Sequence, residues 1–165
     1  MTRATVITVS DGVSAGTRQD LSGDALEEML ADRGFSVKRV VVPDERDRIA
    51  DAIRAAAGSS ALVLTTGGTG FGPRDVTPEA TVSVLEREAP GLAHLMLARG
   101  LESTPMAALS RARAGTLGPA LVLNLPGSPR GATESLAAVV DLLPHVLDLL
   151  AGHTDHHSGQ SGHGN

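Results

Sequence analysis

The sequence has no cysteine, tryptophan or tyrosine, and Phe35 and Phe71 are its only aromatic residues in 165 positions. Without cysteine, disulfides, thiolate metal sites and cysteine nucleophiles are excluded. Without aromatics there is no platform for stacking bases, and a formal net charge of −5 argues against a basic nucleic-acid patch. No apolar run approaches the roughly 20 residues of a membrane-spanning helix; the longest are broken by charge, Gly or Pro. The amino terminus lacks the basic region and apolar stretch of a secretion signal. These absences predict a cytoplasmic protein with no nucleic-acid or membrane partner, acting on a small molecule. At 41% apolar, the chain can bury the core of one domain, expected over residues 1–150.

Glycine is plentiful and concentrated where it matters. The apolar run Leu62-Val63-Leu64 stops at Thr65-Thr66, and glycine then fills three of four positions in Gly67-Gly68-Thr69-Gly70. Phe71, Gly72, Pro73, Arg74 and Asp75 follow, and Thr77-Pro78-Glu79 reads as a helix start, with Thr77 the better cap candidate. Glycines between a strand and a helix allow positive φ and bring bare N–H groups close to an anion. The threonines add donors and Arg74 a planar cation. Asp75 would repel phosphate unless a divalent cation stood between them. The loop is not a Walker A sequence, since no Gly-Lys-Ser/Thr follows, and it lacks the GxGxxG spacing. A glycine-rich turn with no ligand would need none of Thr69, Arg74 and Asp75.

Along the chain, strands are predicted over residues 5–9, 36–42 and 61–66. Helices are predicted over 21–34 (Ser22 as cap candidate), 45–57, 78–88 and 91–102. Residues 111–116 and 120–125 read as a hairpin around Gly118-Pro119 or as two short strands, and 132–150 as one long closing helix. Alternating strands and helices predict an α/β fold, a mostly parallel sheet covered on both faces, with one antiparallel strand from the hairpin. Ligands of such sheets sit at the carboxyl ends of strands. Ser10-Asp11, Pro43-Asp44, Thr65-Thr66-Gly67 and Asn124-Leu125-Pro126-Gly127 all fall there, so topology would gather them on one edge.

Asp44 and Asp75 are candidate magnesium-linked carboxylates, since hard oxygen ligands suit that ion together with substrate phosphates. Asp44 reads equally well as a helix cap after Pro43, and Asp75 as a partner of Arg74 or a cap. Gly127 and Ser128 could offer an N–H and a hydroxyl to an anion, with Ser128 as N-cap and Pro129 at the first helical position. Ser10, Ser14 and Ser22 lie in loops able to close over an anion. Ser110-Arg111 is a further possible anion contact. The segment from His153 onward holds four of the six histidines among Gly, Ser, Asp and Gln, which predicts a disordered tail.

Three segments in order, Thr65–Gly70, Pro73–Ala80 and Asn124–Pro129, together with Ser10-Asp11 and Asp20-Leu21-Ser22-Gly23, resemble the MogA/MoaB family of molybdenum cofactor biosynthesis proteins. The similarity runs from about Thr5 to Leu150. It implies a three-layer α/β/α sandwich (the molybdopterin-binding domain fold), usually a homotrimer, with a pocket for molybdopterin. In active members of the family, Mg2+ and ATP join the pterin, giving adenylyl-molybdopterin and pyrophosphate; a molybdenum-insertion protein would take the product. Asp75 and Asp44 match the family's catalytic acids. Thr66, Gly67, Gly68, Thr69 and Gly70 match its glycine loop, and Pro126, Gly127 and Ser128 its second ligand turn. Ser110-Arg111 matches a Ser-Arg pair. With so few aromatics, the pterin and adenine would be held by backbone, aliphatic side chains and Phe71. The last helix ends soon after the Pro-Gly-Ser-Pro loop, as in shorter members, so a non-catalytic molybdopterin-binding module is the alternative.

Overall fold

The structure, a computed structural model, describes residues 1–153; the expected tail beyond His153 lies outside them. Six strands form one sheet: β1 (Arg3–Val9), β2 (Ser36–Val42), β3 (Leu62–Thr66), β4 (Arg87–Glu88), β5 (Ala114–Leu117) and β6 (Ala120–Leu125). Their spatial order is β2-β1-β3-β6-β5-β4. β1, β2, β3 and β6 run parallel, and β5 is antiparallel to both β6 and β4, so it is the one reversed strand. The helices are α1 (Asp11–Ser14), α2 (Leu21–Asp32), α3 (Arg46–Ala57), α4 (Thr77–Val82), α5 (Pro90–Ser103), α6 (Pro129–Val139) and α7 (Leu143–Leu150).

Strand alternation builds both layers. Val6, Leu62, Leu64, Leu121, Leu123 and Leu125 point to one face, where α2, α5, α6 and α7 supply Leu26, Leu30, Met96, Leu136 and Leu143. Ile7, Val9, Val63 and Val122 point to the other, where α3 and α4 supply Ile49, Ile53 and Ala80. The alternation also sorts the buried threonines. Thr8 and Thr66 reach toward α2, while Thr65 reaches toward α4. The result is the expected α/β/α sandwich.

Four local expectations need correction. The closing helix is broken, because the Pro144 ring has no N–H to continue the ladder; a 3-10 turn over Val140–Leu142 separates α6 from α7. The helix expected over 78–88 stops at Val82, and Arg87–Glu88 pairs instead with β5, with Glu86 N–H already bonded to the Thr116 carbonyl at 2.8 Å. α2 is capped by Asp20 rather than Ser22: the Gly23 N–H donates to Asp20 Oδ1 at 3.0 Å. The first strand of the hairpin begins at Ala114, three residues later than expected.

Candidate active site at the carboxyl edge of the sheet

The four strand ends are tied to one another by hydrogen bonds. Ser10 N–H donates to the Val42 carbonyl at 3.0 Å, and Ser10 Oγ caps α1 by accepting from Val13 N–H at 3.2 Å. Asp11 and Asp44 interlock, Asp11 N–H donating to Asp44 Oδ2 at 2.8 Å and Asp44 N–H to Asp11 Oδ1 at 3.0 Å. Gly67 N–H donates to the Leu125 carbonyl at 3.1 Å. Thr66 Oγ1 donates to the Pro126 carbonyl at 2.7 Å and lies 3.1 Å from Ser22 Oγ.

The glycine loop is shaped by close approach. Gly67 and Gly68 have φ of +105° and +69°, a region that disfavours side chains. A Cβ on Gly67 would strike the Val9 carbonyl oxygen; one on Gly68 would meet the Thr77 hydroxyl and lie 3.2 Å from Asp44 Oδ1. Thr77 is not the cap of α4. Its hydroxyl donates to the Gly67 carbonyl at 2.9 Å and its N–H to the Gly68 carbonyl at 3.1 Å, so it pins the loop. On the loop's far side, Asp75 Oδ2 accepts from Gly72 N–H at 2.8 Å, and a Cβ on Gly70 would come within 3.1 Å of that oxygen. Asp44 and Asp75 therefore flank the bare loop. Neither caps a helix: the N-caps of α3 and α4 are Glu45 and Val76, and neither makes a side-chain cap bond.

The two interlocked acids are electrostatically unlike. Arg74, through Nε at 2.6 Å and Nη2 at 3.0 Å, holds Asp11 below the usual carboxylate range, and Asp44 N–H adds to this. Asp44 is pushed above that range, first by burial, with Asp11 and Asp75 repelling its charge. Asp44 Oδ1 and Asp75 Oδ1 accept no hydrogen bond among the described residues. Two carboxylates with spare oxygens beside a loop without side chains fit a hard divalent cation that keeps water and phosphate ligands.

Two cavities open on this edge. A polar cleft of about 390 Å³ is lined by Ser10, Asp44, Thr66, Gly67, Gly68, Asp75, Gly127 and Ser128, with Arg18, Asp20 and Ser22 alongside. A largely apolar cavity of about 510 Å³ lies beneath α5 and the following 3-10 turn (Pro105–Leu109). Met96, Leu97 and Met106 line it, as do Thr69, Gly70, Ser110, Pro126 and Ser128. Ser128 borders both. It caps α6, accepting from Gly131 N–H at 3.1 Å, with Pro129 first in the helix as expected. The α6 N-terminus thus stands at the seam, where N–H groups and the helix dipole favour an anion.

Asp11, Ser14, Arg74 and Arg111 line neither cavity. Arg74 is occupied by Asp11. Arg111 donates to the Gly70 carbonyl and the Asp75 carbonyl, both at 2.8 Å, pairs with Glu79, and sits 5.6 Å from the centre of the Phe71 ring. It braces the glycine loop from behind, and Phe71, 72% exposed, is its backing and not a wall of either cavity. Ser14 is exposed at the end of α1.

The apolar cavity itself was not legible in the sequence, nor was Arg39, nor the hydrogen bonds that Asn124 and Asp20 make. Asn124 is wholly buried; its Nδ2 donates to Thr65 and Thr81 hydroxyls, both at 2.9 Å, and its Oδ1 accepts from Arg113 N–H at 3.0 Å. A lone polar residue in the apolar run Ala120–Leu125 was the available signal. Asp20 accepts from the Thr8 hydroxyl at 2.7 Å and pairs with Arg39, whose Nη1 also reaches Glu27 at 2.7 Å and Asp24 at 3.0 Å.

Residues 5–145 match the family model described as "Probable molybdopterin binding domain". The chain is 40% identical over 152 residues to the molybdopterin adenylyltransferase of Helicobacter pylori (strain J99), covering 89% of this chain and 86% of that protein. It is also 40% identical over 149 residues to the molybdenum cofactor synthesis protein cinnamon of Drosophila melanogaster, of which it spans only 25%. The crystal structure of the molybdopterin biosynthesis enzyme MoaB of Thermus thermophilus superposes with a TM-score of 0.86 at 52% identity, over 92% of this chain and 98% of that one. With its sandwich, its glycine loop and its two-cavity edge, the chain belongs to the MogA/MoaB family of molybdenum cofactor biosynthesis proteins.

Proposed function

We propose that the protein is a molybdopterin adenylyltransferase, transferring AMP from ATP to the phosphate of molybdopterin and releasing pyrophosphate. The observation that carries this reading is Ser128, shared by an apolar cavity of about 510 Å³ and a polar cleft of about 390 Å³. Such a pair suits two substrates, a pterin on the apolar side and a nucleotide polyphosphate on the polar side. Their phosphates meet at the α6 N-terminus. The named activity of the Helicobacter relative supports the same reading.

The molybdopterin phosphate oxygen forms the new bond to the α-phosphorus of ATP, and the bond from that phosphorus to the bridging oxygen breaks, its electron pair leaving with pyrophosphate. A phosphate dianion needs no general base, so the chain's task is alignment and charge stabilisation. The Ser128 hydroxyl and the Arg130 N–H, the free donor of the first turn of α6, hold the acceptor phosphate. The Gly68 N–H, on a loop without side chains, faces the nucleotide phosphates at close range. Asp44 and Asp75 would hold Mg2+, and the ion would neutralise charge on the pyrophosphate leaving group. Thr77 and Arg111 keep the loop in register.

The assembly is a homotrimer in the cytoplasm, handing its product to a molybdenum-insertion protein. Exposed Leu95, Leu101, Met106 and Leu109 on α5 and the next turn, between 41% and 65% exposed, support self-association through apolar contacts. Pyrophosphate release in the presence of ATP, molybdopterin and Mg2+ tests the activity. Release that requires all three is expected. Molybdopterin binding without any consumption of ATP would leave a binding module in place of an enzyme.

A further inference from the structure

Resting on the nucleotide reading of the polar cleft, we propose that Arg18 is the residue that grips the outer phosphates of the bound nucleotide and of released pyrophosphate. Three arginines near this edge are already committed. Arg74 is bidentate on Asp11, Arg111 is spent on the Gly70 and Asp75 carbonyls and Glu79, and Arg39 is shared by Asp20, Asp24 and Glu27. Arg18 is the one cation on the cleft lining and makes no hydrogen bond or ion pair among the described residues.

The cleft needs such a group. Three carboxylates line it, Asp20, Asp44 and Asp75, and of these only Asp20 is paired with an arginine, one it shares with Asp24 and Glu27. One divalent cation on Asp44 and Asp75 cancels their charge and leaves the polyphosphate's own charge uncompensated. Position favours the outer phosphates. Ser128 takes the seam with the apolar cavity, whereas Arg18 stands on the exposed segment between α1 and α2 and touches only the polar cleft.

Gly12 seats the side chain. A Cβ there would come within 3.2 Å of Arg18 Cβ and 3.4 Å of its Cδ, so the aliphatic stem lies over a bare backbone and is partly ordered before ligand arrives. A guanidinium gripping phosphate is bidentate where an ammonium is a point charge, so Lys recovers only part of the effect.

The test is calorimetric titration of ATP, pyrophosphate and AMP, each with Mg2+, into the full chain and its Arg18→Gln and Arg18→Lys variants. Arg18 is exposed and unpaired, so the fold is unaffected by either change. Arg18→Gln is expected to weaken ATP and pyrophosphate about five- to tenfold, an exposed charge-assisted contact discounted for screening, with AMP within about twofold. Arg18→Lys falls between, and the loss shrinks with added salt. Equal weakening of all three ligands, or no change for ATP, overturns the assignment. An unmutated chain that takes up neither ATP nor pyrophosphate overturns the nucleotide reading itself, a different outcome from binding that ignores Arg18.

Discussion

Replacing Asp44 with Asn separates a carboxylate kept for function from one kept for folding. Asp44 is half-buried, and burial together with the nearby Asp11 and Asp75 charges holds it above the usual carboxylate range. Its ionised form therefore opposes folding at neutral pH, while its bond from Asp11 N–H, at 2.8 Å, favours it. The amide oxygen of Asn keeps that bond and sheds the charge. Because the group still meets water, screening limits the gain to about 0.5 kcal/mol. With a urea slope of about 2 kcal/mol/M, the midpoint rises by about 0.25 M. The folded wild type binds this proton more readily than the unfolded chain does, so its stability rises as pH falls from the raised folded value toward the ordinary 3.8, and the gap to the variant closes over that window. Transfer activity should fall by about a hundredfold or more, as when a stabiliser of developing charge is lost. Urea unfolding at neutral and acid pH, beside pyrophosphate release, reads both effects. A variant whose midpoint drops by more than about 0.5 M would show that the ionised carboxylate supports the fold, refuting the reasoning.

Two further substitutions probe the scaffold. Asn124→Leu leaves the buried Thr65 and Thr81 hydroxyls and the part-buried Arg113 N–H without this partner, and should cost about 3 kcal/mol in urea unfolding; a loss below about 1 kcal/mol would mean that water or neighbouring groups satisfy them. Arg111→Lys keeps the charge but cannot serve the Gly70 and Asp75 carbonyls and Glu79 together, so ATP binding by calorimetry should weaken about tenfold while the Lys retains most of the thermal stability. Unchanged ATP affinity would remove Arg111 from the bracing of the loop.

What was legible in the sequence follows from locality. β3 and its glycine loop could be read because an apolar run ending in threonines and glycines has few other uses, and Ser128 with Pro129 because caps are set by adjacent residues. The gathering of Asp11, Asp44, Gly67 and Gly127 followed from parallel topology alone. Partners chosen by tertiary contact were not legible. Arg74 looks like a ligand cation until Asp11, 63 positions away, is seen to claim it. Thr77 looks like a cap until the Gly67 carbonyl takes its hydroxyl. Arg87-Glu88 is too short to show alternation and is a strand only because β5 offers an edge. The apolar cavity is formed by residues from α5, the 3-10 turn and α6, whose spacing reads equally as ordinary helix packing.

The central claim is that two cavities take the two halves of one product and join at Ser128. A crystal structure of the protein with adenylyl-molybdopterin measures this directly. The pterin should occupy the cavity lined by Met96 and Met106, the adenylate the cleft beside Asp44 and Asp75, and the linking phosphates should contact Ser128 Oγ and the Arg130 N–H. Both halves in one cavity, or phosphates bound away from Ser128, would contradict it.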